Sequence, residues 1–127
     1  MPFEASTVAR RRFGVGIRAI FAQLNCSNLE TSVGWFSELF HREPDSRPMK
    51  GLAEWHYGDL AGFQLFEKAE DAGHGTLTLV VEDIEGEHRR LVEAGLKPGE
   101  VEPGKNTLVR LNDPDGNLVV LTEPGGE

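Results

Sequence analysis

Two stretches of the chain share one order of hydrophobic patterns. In the first, apolar and polar residues alternate through Arg18–Cys26, which predicts a strand with two different faces. Apolar residues then recur at helical spacing as far as Phe40, which predicts an amphipathic helix. A loop over His41–Gly51, with room for a short strand, leads to strands at Ala53–Gly58 and Gly62–Glu67. The order of this stretch is therefore βαβββ.

The second stretch repeats this order. Its predicted elements are a strand at Thr76–Val81, a helix at Ile84–Ala94, a weak strand at Lys97–Val101, and strands at Thr107–Asn112 and Leu118–Thr122. The inner side of the helix would carry Ile84, His88 and Leu91, and Gly95 would end it. The last two strands form a hairpin around Asp113-Pro114-Asp115-Gly116, which is a strong turn signal.

Local matches support an internal repeat. Asn28-Leu29-Glu30 matches Asp83-Ile84-Glu85, and Phe63–Glu67 matches Val119–Glu123 at nearly the same spacing along the chain. Asn28 and Asp83 can each cap the helix that follows, because a short side-chain oxygen accepts a free backbone N–H. For the first helix, a capping box one residue earlier is an alternative.

The repeat predicts one α+β domain over residues 16–127, built from two βαβββ modules. Module one spans about 17–67 and module two about 75–124, while residues 1–15 form a flexible N-terminal arm. The length of 127 residues suits one hydrophobic core.

Composition narrows the possible partners. The formal net charge of −8 argues against nucleic acid, and no apolar run is long enough to span a membrane. The single cysteine, Cys26, rules out an internal disulfide and favours a reducing, cytoplasmic location. Cys26 shares the apolar face of its strand with Leu24, so we interpret it as a buried residue rather than a nucleophile.

These motifs resemble the vicinal-oxygen-chelate superfamily, which includes glyoxalase I, extradiol dioxygenases and bleomycin-resistance proteins. The resemblance rests on both helix entries, on Leu91–Gly95 and on Asp113–Asn117. It implies that the modules curl into a half-open, mixed β-barrel around a cleft, with both helices outside. It also implies a homodimer, because dimers are common among such proteins.

The resemblance further implies four metal-ligand positions in the cleft of the superfamily's enzymes. Counted from the helix caps and the closing turn, these positions hold Phe21, Gln64, Thr76 and Val120. None of the four offers an imidazole or a carboxylate, which are the donors that hold a catalytic divalent metal. We therefore expect no metal and no cofactor, and a protein that binds a small organic molecule as bleomycin-resistance proteins do.

Side chains that share strand parity with these positions should line the cleft, together with aromatic residues suited to stacking. The predicted cleft residues are Phe21, Gln23, Asn25, Trp55, Tyr57, Gln64, Phe66, Thr76, Thr78, Arg110 and Val120. The strand that carries Trp55, His56 and Tyr57 could face the cleft with either side. Apolar walls with a few neutral polar groups suit a small organic ligand, although the same residues could simply fill the barrel.

Other functions stay open from the sequence. A register shift of two residues would bring His74 to the position of Thr76, where it could support a metal-dependent lyase, isomerase or dioxygenase. Acid–base catalysis without metal is a second possibility, with catalytic residues unknown. A non-catalytic dimerisation or regulatory domain is a third.

Overall fold

Two helices and seven strands form within residues 16–125, the part of the chain that the computed structural model describes. In chain order they are β1 (Ile20–Cys26), α1 (Leu29–Phe40), β2 (Ser46–Met49), β3 (Leu52–Tyr57), β4 (Ala61–Glu67), β5 (Thr76–Val80), α2 (Ile84–Glu93), β6 (Thr107–Asn112) and β7 (Leu118–Glu123). A short 3₁₀ turn, Ala69–Asp71, joins the modules. The predicted arm at residues 1–15 lies outside the described residues.

The strands form two sheets that repeat one topology. In module one the order is β1-β4-β3-β2, with β1 parallel to β4. In module two it is β5-β7-β6, with β5 parallel to β7. Both helices pack on the same side of these sheets, against a core shared by the two modules. The predicted α+β fold of two modules, curled and half-open, is confirmed.

One predicted strand is wrong. Lys97–Val101 forms no strand, and a single bridge between Glu102 and Leu108 replaces it. Proline at positions 98 and 103 removes two backbone donors, and Lys97 has a positive φ of 57°. Only Gly99 of this segment reaches the neighbouring strand, with its N–H donating to the Arg110 carbonyl at 2.7 Å. The sheet of module two therefore has three strands.

Both helices begin at the predicted caps. The Asn28 side chain accepts a hydrogen bond from the Thr31 N–H at 3.0 Å, and Asp83 accepts one from the Gly86 N–H at 3.1 Å. Each cap leaves its helix with one fewer unsatisfied donor, and Asn28 has the extended backbone typical of this position. Because Asn28 is the cap residue, the capping box one residue earlier is not used.

In both modules, a second carboxylate, at the end of the last strand, accepts a hydrogen bond from the start of the helix. Glu67, at the end of β4, accepts from the Leu29 N–H at 2.8 Å. Glu123, at the end of β7, accepts from the Ile84 N–H at 2.9 Å. A carboxylate at a helix N-terminus also interacts favourably with the helix dipole. The matched pair of glutamates therefore ties each helix to the last strand of its own module.

Aromatic side chains fill the helix side of module one. Phe36 and Trp55 are fully buried, and Phe63 packs between them and Phe40 at centroid distances of 5.0–5.8 Å. Cys26 lies in the same core, and burial raises the pKa of its thiol to about 11. The interpretation of Cys26 as a buried residue is confirmed, since almost no thiolate forms near neutral pH.

A buried asparagine joins the modules. The Asn117 amide donates to the Asn25 carbonyl at 3.0 Å and to the Asp113 carboxylate at 2.8 Å. Its oxygen accepts from the Gly75 N–H at 2.9 Å. Asn117 is only 1% exposed, so these bonds are shielded from water. One side chain therefore connects the end of β1, the linker before β5 and the turn before β7.

Two further contacts strengthen this junction. The Asp115 carboxylate accepts from the Ser27 N–H at 3.1 Å, beside the end of β1. On the helix side, the Arg90 guanidinium donates to the Glu38 and Leu39 carbonyls at 2.8 and 2.7 Å. Because these carbonyls end α1, a positive charge from α2 satisfies the C-terminus of the other module's helix.

Replacing Asn117 by alanine should destabilise the chain strongly, because the Gly75 N–H and the Asn25 carbonyl would lose their partner in a buried place. We expect a loss of about 2–4 kcal/mol in the free energy of unfolding, measured by urea denaturation. Asn112→Ala is the control, since Asn112 is exposed on the same hairpin. Equal losses in the two variants would show that the junction does not depend on Asn117.

Candidate functional site

The side of both sheets opposite the helices carries most of the predicted cleft residues. We call this side the open face. In module one it presents Phe21, Gln23 and Asn25 from β1 and Gln64 and Phe66 from β4. In module two it presents Thr76 and Thr78 from β5, Val120 from β7 and Arg110 from β6. Leu24, Cys26 and Leu77, which alternate with these residues, are buried on the helix side.

The register shows that the two halves of the open face are equivalent. Gln23 pairs with Gln64 in module one, and Thr78 pairs with Val120 in module two. The spacing between the two pairs along the chain is the one that the sequence repeat predicts. The junction at Asn117 joins the end of β1 to the start of β5, so the two halves are neighbours along these strands.

Phe21 lies across its neighbour on β4. Its pairing partner is Gly62, and a Cβ at that position would collide with the Phe21 ring. The ring reaches His56 on β3, with an edge-to-face arrangement at a centroid distance of 5.8 Å. Phe21 remains 38% exposed, so part of its ring is available to a ligand. The missing side chain at Gly62 therefore makes room for an aromatic surface on the open face.

The register of β3 decides which of its faces joins this surface. Glu54 and His56 pair with Gln64 and Gly62, so they lie on the open face. Trp55 lies on the other face, fully buried, with its indole N–H donating to the Arg42 carbonyl at 2.9 Å. The structure therefore does not bring Trp55 to the open face, because the core of module one needs a large apolar side chain there.

Tyr57 also lies on the helix side. It stands beside Phe40 and under the Arg42 guanidinium, 4.7 Å from its ring centroid. Here it lines a half-open cavity of about 420 Å³ between the end of α1 and strand β5, with Leu79 and Arg90 among the other walls. Burial in this place raises the pKa of the Tyr57 phenol. Tyr57 is therefore separated from the other predicted site residues by the sheet.

Sequence reasoning missed Glu54 and left open whether the face of His56 or that of Trp55 and Tyr57 lines the cleft. The His56 imidazole Nε2 lies 3.0 Å from the Glu54 carboxylate, which also accepts from the Gln64 amide at 2.7 Å. The His56 backbone is held by the side chains of Arg42 and Asp45, which pair with each other at 2.6 Å. The available signal was strand alternation, since Glu54 and His56 occupy the positions between the core residues of β3.

Module two is less polar at the matching positions. Val120 offers only methyl groups, and Thr76 and Thr78 offer exposed hydroxyls. The Arg110 guanidinium donates to Glu102 at 3.0 Å and is half exposed. The half in module one therefore carries the hydrogen-bonded carboxylate of Glu54. The half in module two carries the guanidinium of Arg110, which is paired with Glu102.

Comparison with known proteins places this architecture in a family. The sequence profile of the glyoxalase-like domain matches residues 20–122, from the first strand to the last. The chain belongs to the glyoxalase-like domain family. This family lies within the vicinal-oxygen-chelate superfamily, so the resemblance inferred from the sequence is confirmed. No match was found among the curated proteins.

Solved structures show the same glyoxalase-like fold. A glyoxalase / bleomycin resistance protein from Catenulispora acidiphila is 26% identical, with a TM-score of 0.76 over 83% of this chain and 96% of that one. TnmS3, an antibiotic-binding protein from a Streptomyces species, is 18% identical, with a TM-score of 0.73 over 84% and 95%. A bleomycin-binding protein complexed with bleomycin is 19% identical, with a TM-score of 0.69 over 85% and 98%. At such low identities the last two show the fold alone.

The residues at the metal positions of this glyoxalase-like chain do not fit a metal. Phe21 and Val120 have no donor atom, and the Gln64 amide is bonded to Gln23 and Glu54. Thr76 supplies one hydroxyl, which is too weak a donor to hold a transition metal. Within residues 16–125, no three histidine, cysteine or acidic side chains are grouped as a metal site requires.

The other histidines lie away from these positions. β5 begins at Thr76, as expected, and His74 lies exposed in the linker before it. His88 bonds the Gly99 carbonyl at 3.0 Å, and His41 ends α1 in a left-handed conformation. The predicted register, without the shift that would recruit His74, is the one that the structure has.

No helix in the described part of the chain is long and apolar enough to cross a membrane.

The pKa of Glu54 is lowered, first by its hydrogen bond from His56 and then by the one from Gln64. The carboxylate thus contributes stability above its unfolded pKa of about 4.5, and this stability is lost as pH falls through the lower folded value. We expect the free energies of unfolding of wild type and Glu54→Gln to differ most above pH 4.5 and to converge below it. Urea denaturation at several pH values between 3 and 7 would check this.

Glu30→Gln is the matched control for this experiment. It removes the same charge from an exposed ion pair with Arg47 on the helix side. Such a pair should contribute less than about 0.5 kcal/mol. A difference between wild type and Glu54→Gln that stays constant from pH 3 to 7 would contradict the interpretation, because the lowered pKa requires it to shrink in acid.

Proposed function

We propose that the open face binds a small organic molecule without a metal ion. The observation that carries this proposal is the chemistry of the four metal positions, which combine an aromatic ring, a bonded amide, a hydroxyl and a valine side chain. Such a surface suits an organic ligand, since mainly apolar walls supply affinity and a few oriented polar groups supply selectivity. Phe21 and Val120 provide apolar contact, while Gln23, Thr78 and Arg110 provide hydrogen bonds.

Structural relatives give this proposal independent support. Two proteins that share the fold bind small molecules: one is complexed with bleomycin, and TnmS3 is an antibiotic-binding protein. Their identities of 19% and 18% are too low to transfer a ligand to this chain. They support the more general point that proteins with this fold can bind small molecules. The predicted homodimer stays a prediction, and light scattering would test it.

A second candidate function follows from the Glu54–His56 pair. An imidazole held by a carboxylate is a common arrangement for a general base. His56 is 44% exposed on the open face, so a bound molecule could approach its ring. Acid–base catalysis on the bound ligand is therefore the alternative that this observation favours. It uses the same surface and would appear as turnover of a ligand, abolished by His56→Gln.

Benzamide is a suitable neutral probe for the proposed site. We expect its titration into ¹⁵N-labelled protein to shift the backbone signals of Phe21, Thr78 and Val120 more than those of Leu79 and Arg90, which line the cavity on the helix side. Phe21→Ala should weaken binding about fivefold, because a stacking contact is worth about 1 kcal/mol.

Tyr57→Ala is the matched control, since it removes an aromatic ring of similar exposure from the cavity. It should leave the affinity for benzamide within about twofold of wild type. Shifts centred on the cavity, with affinity lost in Tyr57→Ala and kept in Phe21→Ala, would move the site to the other side of the sheet and contradict the proposal.

A further inference from the structure

Four strands of module one each contribute one polar side chain to a single row on the open face. Gln23 on β1, Gln64 on β4, Glu54 on β3 and Ser46 on β2 are successive partners in the strand register. We call these four residues the polar row. Gln23 donates to Gln64 at 3.0 Å, Gln64 donates to Glu54 at 2.7 Å, and Ser46 donates to Glu54 at 3.4 Å. The row is therefore a continuous hydrogen-bonded chain across the sheet.

The charge of Glu54 sets the direction of this chain. An ionised carboxylate only accepts hydrogen bonds, so the Gln64 amide must turn its NH₂ group towards Glu54. The Gln64 oxygen then points to Gln23, which must present its own NH₂ group in return. This arrangement leaves the Gln23 oxygen as the last acceptor of the row. The shape of an amide side chain alone does not decide which end is the oxygen and which the nitrogen. Here the negative charge of Glu54 decides the orientation of both amides.

The same anion strengthens the terminal acceptor. Glu54 is held by Ser46, Gln64 and His56, and its side chain is only 13% exposed, so water screens it weakly. An amide that donates a hydrogen bond towards an anion becomes a better acceptor at its own oxygen, because hydrogen bonds in a chain polarise one another. The Gln23 oxygen, at the exposed end of the row, is therefore a better acceptor than that of an isolated amide. It lies on β1, the strand of module one that meets module two.

Module two has no such row. The positions equivalent to Gln23, Gln64 and Glu54 hold Thr78, Val120 and Arg110. Val120 cannot pass a hydrogen bond between its neighbours, and Arg110 carries the opposite charge to Glu54 and bonds Glu102 instead. The paired strands of the two halves are equivalent in register, but only module one carries a continuous polar row.

We infer that the Gln23 oxygen accepts a hydrogen bond from a nitrogen-bearing group of the ligand, and that Glu54 sets this selectivity from two strands away. The ligand class is an amide, amidinium or ammonium compound, as distinct from a carboxylate. This inference rests on the proposed function of the open face. Glu54 acts through Gln64, so it is a positioning residue and does not need to touch the ligand.

The row itself is tested without any ligand. In ¹⁵N-labelled protein, the side-chain NH₂ signals of Gln23 and Gln64 report their hydrogen bonds directly. Glu54→Gln should shift both pairs of signals, because the new amide can donate as well as accept and the row loses its fixed direction. Glu30→Gln, which removes the same charge on the helix side, should shift neither. If Glu54→Gln moves the Gln64 signals and leaves those of Gln23 unchanged, no relay exists and the inference is overturned.

The selectivity is tested with two probes of nearly one shape, benzamidinium and benzoate. Titration into wild type should give an affinity for benzamidinium at least about tenfold above that for benzoate at the Gln23 site, since one charge-assisted hydrogen bond is at stake. Glu54→Gln should lose most of this preference, while Glu30→Gln should keep it and so exclude an effect of net charge alone.

Two further outcomes would overturn the inference in different ways. Equal or tighter binding of benzoate beside Gln23, with the NH₂ signals behaving as expected, would show that the row is real and does not select the ligand. Failure of both probes and of benzamide to shift any open-face signal would contradict the proposed function itself. The NH₂ signals separate these cases, because they respond to Glu54→Gln whether or not a ligand binds.

Discussion

The junction between the two modules is centred on the hydrogen bonds of one buried side chain, Asn117. Its amide satisfies backbone groups from the end of β1 and from the linker before β5, and it is held in turn by Asp113. Each of these groups is costly to leave without a partner in a buried place. This junction brings β1 and β5 together beside the shared core, which makes the two halves of the open face neighbours.

Within each module, the glutamate at the end of the last strand fixes the helix to the sheet. Glu67 and Glu123 bind the first N–H groups of α1 and α2. The helices are therefore fixed to the sheets at matching points, and the strand registers repeat between modules. The modules differ in the fourth strand, which module two lacks, and in the side chains of the open face. There, Thr78, Val120 and Arg110 of module two occupy the positions equivalent to Gln23, Gln64 and Glu54 of module one.

Most of the fold was readable from the sequence because its signals are local. The caps at Asn28 and Asp83 and the turn at Asp113–Gly116 need only neighbouring residues, and the repeat gave the module order. The face of β3 was not readable, because Trp55 and Tyr57 suggest stacking as strongly as they suggest packing. Only the pairing of β3 with β4 shows that Trp55 belongs to the core. The segment at Lys97–Val101 was placed as a strand by its position in the repeat, but Pro98 and the positive φ of Lys97 prevent a regular ladder there.

The polar row could not be predicted from the sequence, for a related reason. Gln23, Glu54 and Gln64 lie in three separate strands, and nothing in the sequence around each residue shows that the register brings them side by side. The sequence did predict the composition of the four metal positions, which depends only on counting from local motifs. The assignment of these positions, and their divergence from the superfamily's enzymes, stays a prediction.

The central claim is that this surface binds organic molecules and does not bind a divalent metal. The most direct test is elemental analysis of the purified chain, together with calorimetric titration of Zn²⁺, Ni²⁺ and Mn²⁺ into it. The account predicts far less than one metal ion per chain and no saturable binding in the micromolar range that a functional site would show. About one ion per chain, lost on Gln64→Ala or on Glu54→Gln and kept on Glu30→Gln, would contradict it.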